Sequence, residues 1–250
     1  MKRFFDFANL ARRKALCVLA FSVAVTASSL LTLSAGEMPA DKAAPEGFVS
    51  LFDGKTLDGW DGDPSYWSVQ DGCITGISTD AKPIAYNTFL VWKNGEVADF
   101  ELQADFRLFN HNSGIQYRAF MNPGKPWSMG GYQGDIAGAP YMGIVYGENF
   151  RGILCQRGQQ TTIGKDGKPV VTGQVGDRDE LLSHIDLNGW NSYRIVAKGN
   201  VCTQFINGFK VSEIIDEDDA ARFSGLIGFQ LHAGPSMKVQ FKNVFLKNLK

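Results

Sequence analysis

The sequence lacks an excess of charge of either sign. Its 25 Lys and Arg residues stand against 26 Asp and Glu residues, so the formal net charge is -1, and the sequence pI is about 6.3. Proteins that bind nucleic acid or anionic lipid electrostatically carry a basic patch or stripe, and the sequence shows no such stripe. The composition therefore argues against a nucleic-acid-binding or lipid-surface protein.

After residue 46 the sequence also lacks any long amphipathic helical pattern. It contains instead many short alternating runs, with 28 Gly and 9 Pro in 250 residues. Short strands at near-regular spacing, separated by turn residues, are typical of a two-sheet antiparallel sandwich. A chain that is 44% hydrophobic can bury one substantial core. We therefore predict an all-β fold in one domain over residues 47–250.

Cysteine is scarce, with 4 in the whole chain. Cys17 lies in the N-terminal apolar run without the small preceding residues of a lipoprotein signal, so we do not expect it to be lipidated. If residues 1–35 are removed, Cys73, Cys155 and Cys202 remain, and an odd number allows at most one internal disulfide. The sequence does not select a pair. The alternative is that the cysteines are small buried residues, and no spacing resembles a zinc site.

The first forty residues have the layout of a secretory signal peptide. Basic residues precede an apolar run from 15 to 35, and small residues follow it. We predict a signal peptide over residues 1–35, a linker over 36–46, and export to the periplasm or the medium. The alternative is an uncleaved anchor, because the run approaches the roughly 20 residues that span a bilayer.

Two alternating runs, residues 112–118 and 131–136, read as neighbouring strands. Successive side chains of a strand point to opposite faces, so Ile115, Tyr117 and Ala119 share one face while Gln116 and Arg118 share the other. If the apolar sides form the core, the polar sides collect on the other face of the same sheet. That polar face is the candidate site.

The second run continues this polar face. By the same alternation Gln133 and Asp135 lie opposite Tyr132 and Ile136. Asp135 has an alternative role as a turn residue, because glycine is frequent from residue 134 to 138.

A third alternating run, residues 225–232, adds two more polar side chains. Gln230 and His232 share the face opposite Ile227, Phe229 and Leu231. Histidine titrates near neutral pH, which suits proton transfer. The alternative is a surface histidine, and for His111 and His184 we expect that surface role.

Four segments together resemble one known family, the 3-keto-disaccharide hydrolase domain family. They are residues 51–60, residues 112–118, residues 190–194 with 206–208, and residues 228–234. The resemblance covers about residues 47 to 249. It implies a concanavalin-like jelly-roll sandwich of two antiparallel sheets, with a carbohydrate site on the concave sheet that acts on glycosides already oxidised at C3.

Cleavage of a 3-keto-glycoside can proceed by elimination followed by hydration, because the ketone acidifies the C2 proton. This route needs a base near C2, an acid near the leaving oxygen and a group that stabilises the enolate oxygen. Asp135, Glu148 and His232 are candidates for base and acid, and Arg118 suits the enolate oxygen. Alternatively, Arg118 forms an ion pair across the strands with Asp105 or Glu101.

Five further residues are candidates for binding the substrate. Trp127, in a Pro/Gly loop, can stack on a sugar ring. Glu148 can reach the rim of the site or coordinate a cation together with loop oxygens, so a structural or catalytic calcium ion is expected as a possible cofactor. The remaining three are the amides Gln116, Gln133 and Gln230.

Two functions from different classes fit these features. The first is an exported hydrolase that cleaves 3-keto-glycosides or 3-keto-disaccharides, with an oxidised carbohydrate as its partner. The second is a non-catalytic carbohydrate-binding module on the same fold, since fold alone does not establish catalysis. The enzyme requires titratable groups that converge on one sugar, whereas a binding module needs only aromatic and amide side chains. The oligomeric state stays open.

Overall fold

The computed structural model describes residues 42–249, which belong to one compact unit. Seventeen strands and one short helix make up the regular structure of this part of the chain. They are, in order, β1 (Val49–Ser50), β2 (Trp60–Asp61), β3 (Trp67–Gln70), β4 (Cys73–Ser78), β5 (Thr88–Trp92), β6 (Phe100–Asn110), β7 (Ser113–Met121), β8 (Met129–Ile136), β9 (Val145–Glu148), β10 (Gly152–Cys155), β11 (Gln159–Ile163), β12 (Pro169–Gln174), α1 (Arg178–Ser183), β13 (Asn191–Lys198), β14 (Val201–Ile206), β15 (Phe209–Asp216), β16 (Leu226–Leu231) and β17 (Met237–Asn248).

The strands form two sheets, as predicted. A 10-stranded sheet has the order β12-β11-β15-β14-β13-β6-β17-β4-β3, with β1 paired to β17, and a 7-stranded sheet has the order β10-β9-β8-β7-β16-β5-β2. All strand pairs are antiparallel except β11 with β15, which is parallel. The all-β sandwich of two antiparallel sheets is therefore confirmed.

The core lies between the two sheets. Strand β6 shows how the sequence builds it, because Phe100, Leu102, Ala104 and Phe106 are buried while the residues between them are mostly less buried. The opposite sheet contributes Tyr117, Tyr132 and Phe229 to the same hydrophobic cluster. The alternate residues of those strands consequently face away from the core.

One Asp-Gly pair and one Asn-Gly pair, each between alternating runs, predict two tight hairpin turns, and the structure confirms both. Asp71 and Gly72 join β3 to β4 with φ angles of 51° and 71°, and Asn207 and Gly208 join β14 to β15 with 51° and 86°. Positive φ at both central residues is the requirement of the type I′ hairpin turn.

The abundance of Gly and Asp from residue 164 to 179 predicts a long loop with a role in covering a site, but the structure places a strand in this segment. Residues Pro169–Gln174 form β12, which pairs with β11 at one end of the 10-stranded sheet. Its Val170 and Val171 are exposed. The sequence also predicts one helical turn over residues 181–185. It exists as α1, which begins three residues earlier because the side chain of Asp177 caps it by accepting from the amides of Asp179 and Glu180.

No disulfide joins any two of Cys73, Cys155 and Cys202, and all three are buried. Burial raises the pKa of the Cys155 thiol and raises that of Cys202 to about 12. The three cysteines are therefore small buried residues, which was the alternative to a disulfide in the sequence analysis.

The predicted signal peptide and residues 36–41 of the predicted linker lie outside the described residues. Lys42, at the linker's described end, forms an ion pair with Asp105 at 2.8 Å, so contacts with the sandwich begin before residue 47. Among residues 42–249, no helix has the length and hydropathy of a membrane span.

Candidate functional site

A cleft of about 650 Å³ opens on the face of the 7-stranded sheet that is turned away from the core. Most of its lining comes from β8, β9, β10 and the segments that join them. Its lining residues are Asn87, Asn112, Gln133, Asp135, Tyr141, Ile144, Tyr146, Gly147, Glu148, Asn149, Phe150, Gly152, Ile153 and His232.

The pairing of β8 with β9 places four polar side chains on this face. Gln133 lies opposite Tyr146, and Gly131 lies opposite Glu148. Because residues two apart share a face, Gln133, Asp135, Tyr146 and Glu148 all point into the cleft, and each of them lines it. Asp135 is a strand residue, not a turn residue.

The amide side chains of β7 and β16 lie next to this group. Gln116 is paired directly with Gln133 across β7 and β8 and is fully buried. Gly114 makes this arrangement possible, since a Cβ on it would stand 2.5 Å from Cδ of Gln133. Gln230 is also fully buried and donates to Oε2 of Glu148 over 3.4 Å.

Arg118 is not in the cleft, contrary to the prediction from alternation. It has a φ of 45°, and four residues of β7 (Gln116 to Ala119) face three of β16 (Leu226 to Gly228), which defines a β-bulge. The extra residue reverses the alternation of the side chains that follow it in β7. Ala119 is therefore not on the face of Tyr117, and it packs with Phe89 and Met129 in a separate cluster.

The guanidinium of Arg118 has a structural role. It donates to the carbonyls of Ala98 and Gly199 at 3.0 and 2.7 Å and to that of Arg222 at 3.2 Å. It also pairs with Asp99 at 3.1 Å. The expected partners Asp105 and Glu101 pair instead with Lys42 and Arg194.

Trp127 is likewise not among the residues that line the cleft. It sits in the loop before β8 with a φ of 51°, and its carbonyl accepts from the amide of Phe89 at 2.8 Å. The loop therefore holds β5, and the stacking of Trp127 on a sugar ring stays a prediction.

Asp135 has the most perturbed carboxyl of the cleft. Burial raises its pKa to about 7, the hydrogen bond from Gln133 opposes that rise, and the nearby Glu148 carboxylate adds to it. Gln133 donates to Oδ1 over 2.7 Å. Near neutral pH the acid and its conjugate base are thus both populated, as general acid–base catalysis requires.

Glu148 is held by three amide donors. Asn87 and Asn149 each donate to Oε1 at 3.0 Å, and Gln230 approaches Oε2. Burial raises the pKa of Glu148, while the bonds from Asn87 and Gln230 lower it.

His232 lines the cleft, and a hydrogen bond fixes which of its ring nitrogens carries a proton. Its Nδ1 bonds the carbonyl of Ala233, and because a carbonyl only accepts, Nδ1 carries the hydrogen and Nε2 keeps a lone pair. Burial lowers the pKa of His232, the Ala233 carbonyl raises it, and His111 lowers it further. His232 is consequently neutral at pH 7 and suited to accept a proton.

His111 is not the isolated surface residue that the sequence suggested. Its ring packs edge-on against His232 with centroids 4.7 Å apart, and its Nε2 lies 3.2 Å from the same Ala233 carbonyl. His184, by contrast, is exposed and stacks on Phe209, as expected of a surface histidine.

Asn87, which sequence reasoning missed, connects the two sides of the cleft. Its Oδ1 accepts from the amide of Ala233 at 2.8 Å, and its Nδ2 donates to Glu148. It precedes β5 in a stretch without periodic pattern, so no sequence signal marks it. Tyr146 was also missed, although its i, i+2 relation to Glu148 places it on the same face.

Several buried polar atoms around the cleft have no partner. They are Oε1 of Gln133 and Gln230, Oδ1 of Asn112, and both amide atoms of Gln116. Buried polar groups are normally hydrogen-bonded, so these atoms mark a place for a polar ligand or water. Within the described chain no group of three or more His, Cys, Asp or Glu could hold a metal ion, and calcium stays a prediction.

Residues 47–247 match the family described as the 3-keto-alpha-glucoside-1,2-lyase-like domain. Among solved structures, two proposed glycosyl hydrolases from Parabacteroides distasonis are similar. One is 20% identical with a TM-score of 0.53 and covers 82% of this chain and 95% of its own. The other is 22% identical with a TM-score of 0.53 and covers 81% and 99%.

A carbohydrate-binding module, CBM66 of Bacillus subtilis, is 14% identical with a TM-score of 0.50 and covers 76% of this chain and 96% of its own. At these identities the structural likeness shows the shared fold. The search of curated proteins gave no match.

Proposed function

From the premise that this chain belongs to the 3-keto-alpha-glucoside-1,2-lyase-like domain family, and is therefore a carbohydrate-active, glycosidase-like protein, we propose that it cleaves the glycosidic bond of 3-keto-glycosides by elimination and hydration. The observation that carries the proposal is the meeting of Asp135, Glu148 and His232 in one cleft. A binding module needs no such set of proton-transfer groups.

His232 is the base of the elimination. Its Nε2 lone pair takes the C2 proton, whose acidity comes from the C3 ketone, and an enolate forms. The Ala233 carbonyl fixes the tautomer, and the lowered pKa keeps the ring neutral before the reaction. Neutral imidazole is the form that accepts a proton.

Asp135 is the acid. With its pKa raised to about 7, the carboxyl carries a proton in a large fraction of molecules at neutral pH and gives it to the glycosidic oxygen as the C1–O bond breaks. The products are the alcohol and a C1=C2 enone. Water then adds at C1 with its proton passing to the Asp135 carboxylate, and the imidazolium returns its proton to C2, so both groups are restored.

Tyr146 takes the role that the sequence suggested for Arg118. Burial raises the pKa of its hydroxyl, and Glu148 and Asp135 raise it further, so the hydroxyl stays protonated and donates to the developing enolate oxygen. Its place on the cleft face beside Asp135 and Glu148 supports this assignment.

Asn87 positions these groups. By bonding both the Ala233 amide and the Glu148 carboxylate, one side chain fixes the turn that carries His232 relative to the acidic side of the cleft. Such preorganisation reduces the reorganisation that the reaction requires.

The test is incubation of purified protein with a 3-keto-disaccharide beside the unoxidised parent sugar, followed by product analysis. We expect cleavage of the oxidised sugar alone, and a loss of about a hundredfold or more in turnover for His232→Ala and for Asp135→Ala. His184→Ala, an exposed histidine outside the cleft, is the matched control. Binding of the sugar without turnover would instead establish the binding module.

Two further expectations are tested with the same protein. We propose that a calcium ion is coordinated by Glu148 together with loop oxygens at the rim of the site; turnover lost in a chelator and restored by calcium would establish the ion. We also propose export with cleavage of residues 1–35, for which N-terminal sequencing of the exported protein should give a start between about residues 36 and 41.

A further inference from the structure

The two sides of the cleft differ in chemistry. In the strand order β10-β9-β8-β7-β16, Asp135 on β8 and Glu148 on β9 lie between a polar side, with Asn112 and His232, and a side next to β10. The apolar part of the lining, Tyr141, Ile144, Phe150 and Ile153, belongs to β10 and to the segments before and after β9. The reacting bond would therefore lie between a polar and an apolar wall.

Two residues of the apolar wall are exposed to water. Tyr141 is 51% exposed and Ile153 is 41% exposed, and both line the cleft. Single exposed hydrophobic residues are ordinary, but two large ones beside one cleft indicate a surface that a ligand covers. A volume of about 650 Å³ lies within the range of sites that enclose drug-sized ligands, so room remains beside a single sugar.

The cleft carries no positive side chain. No Lys or Arg is among its lining residues, whereas Asp135 and Glu148 are. The unpartnered oxygens of Asn112 and Gln133 are acceptors as well. Hydroxyl groups of a neutral sugar can donate to these oxygens, but a carboxylate or phosphate would be brought beside them without a compensating cation.

We propose that the cleft selects neutral glycosides whose leaving group presents an apolar, preferably aromatic, face to Tyr141 and Ile153, and that it rejects glycosides bearing a carboxylate or phosphate. This inference rests on the proposed function, because the sugar on the polar side is taken to be the 3-keto-sugar. It adds the class of the leaving group and the charge of the sugar.

The test compares three ligands by calorimetry on the full mature protein: phenyl glucoside, methyl glucoside and phenyl glucuronide. We expect phenyl glucoside to bind about tenfold more tightly than methyl glucoside, from burial of part of the ring. Phenyl glucuronide, which differs from phenyl glucoside only at C6, where a carboxylate replaces the hydroxymethyl group, should bind at least about a hundredfold more weakly. Equal binding of the two glucosides, or equal binding of glucoside and glucuronide, would overturn the inference.

Variants assign the preference to the wall. Tyr141→Ala and Ile153→Ala should abolish most of the advantage of the phenyl over the methyl glucoside. Phe223→Ala, an equally exposed residue at 54% that is not part of the cleft lining, should retain it. A preference that survives both wall variants contradicts the proposal.

A second set of ligands separates this inference from the proposed function. The same three aglycone and charge combinations are prepared as 3-keto-glycosides, with turnover measured on the wild type and binding on His232→Ala. Turnover of the methyl 3-keto-glucoside without any phenyl preference would remove this inference and leave the function. A phenyl preference in binding without turnover of any ligand would remove the proposed function and leave this inference. Absence of binding by all six ligands would remove this inference.

Discussion

At the scale of single residues, the carboxyl of Asp135 links the chemistry of the cleft to the stability of the fold. Its pKa is raised to about 7, which means that the folded state favours the neutral acid. The stability that the neutral carboxyl contributes is fully present below the unfolded-state pKa, near 3.9. It is lost as the pH rises through the folded-state pKa. The charged carboxylate that forms above pH 7 consequently destabilises the folded state.

We therefore predict that Asp135→Asn stabilises the protein at alkaline pH while it lowers turnover. The amide cannot ionise, and its oxygen can still accept from Gln133. The free energy of unfolding should exceed that of the wild type by up to about 4 kcal/mol at pH 9, and the two should converge below pH 4. Thermal unfolding from pH 4 to pH 9 measures this, and a wild-type advantage at pH 9 would show that the carboxyl is not buried in its neutral form.

For Arg118 we expect a substitution to lower stability and to leave turnover nearly unchanged. Because its guanidinium satisfies three carbonyls and Asp99, Arg118→Ala should lower the free energy of unfolding by about 3 kcal/mol. Turnover per folded molecule should change little, since the residue lies outside the cleft. Urea unfolding provides the measurement, and Lys165→Ala, which removes an exposed ion pair with Asp219, should leave the midpoint unchanged.

The sequence predicted part of the candidate site for a physical reason. Alternation placed Gln133, Asp135 and His232 on one face because β8 is regular there and His232 directly follows β16. It failed for Arg118 because a bulge adds one residue, and no pattern predicts that an arginine will adopt a positive φ. Asn87 escaped because it reaches the cleft from a non-periodic segment, where only the folded chain determines proximity.

At the scale of elements, the bulge in β7 depends on close approach between neighbouring backbones. Gly225, just before β16, has a φ of 152°, and a Cβ on it would stand 2.5 Å from the carbonyl carbon of Arg118. On the other side, a Cβ on Gly131 would stand 2.8 Å from Cα of Ala119. The bulge thus packs closely between two glycines, one on each neighbouring strand segment. It determines which residues of β7 face the cleft.

Gly225→Ala should accordingly destabilise the fold by at least about 2 kcal/mol more than Gly95→Ala. Both glycines have positive φ, but a Cβ on Gly95 meets nothing within 4 Å, so the difference isolates the contact with β7. Chemical denaturation of the two variants gives the comparison. Equal losses would mean that backbone strain alone explains the effect.

The elements themselves were mostly predictable. The Asp-Gly and Asn-Gly pairs predicted two hairpins, because few residue types readily adopt the positive φ that the turn requires. Strand β12 was missed, since Gly and Asp surround it and its own residues are exposed rather than alternately buried. The helix start was missed by three residues because the cap at Asp177 lies in the same glycine-rich stretch.

At the scale of the whole molecule, stability comes from one core between two sheets without covalent cross-links among the described cysteines. We predict that reductant leaves the thermal midpoint unchanged. A thiol reagent should not react with the native protein within minutes, because Cys155 and Cys202 are buried with raised pKa values. A midpoint that falls on reduction would reveal a disulfide and contradict the structure.

The same reagent in denaturant counts the chain's cysteines. The sequence has 4, of which Cys17 lies within residues 1–35. Titration of the exported protein should therefore give three thiols per chain if that segment has been removed and four if it is retained. This count is independent of the N-terminal sequence.

The exposed strand β12 has a consequence for how copies of this protein behave towards one another. It ends the 10-stranded sheet, and Val170 and Val171 lie open to solvent, so one side of its backbone offers hydrogen-bonding groups to any extended segment. Pro169, at its start, removes one donor and interrupts that template. Self-association into extended sheets is thus opposed at this edge by Pro169 and by the irregular register of β12 opposite Gln160 and Thr161.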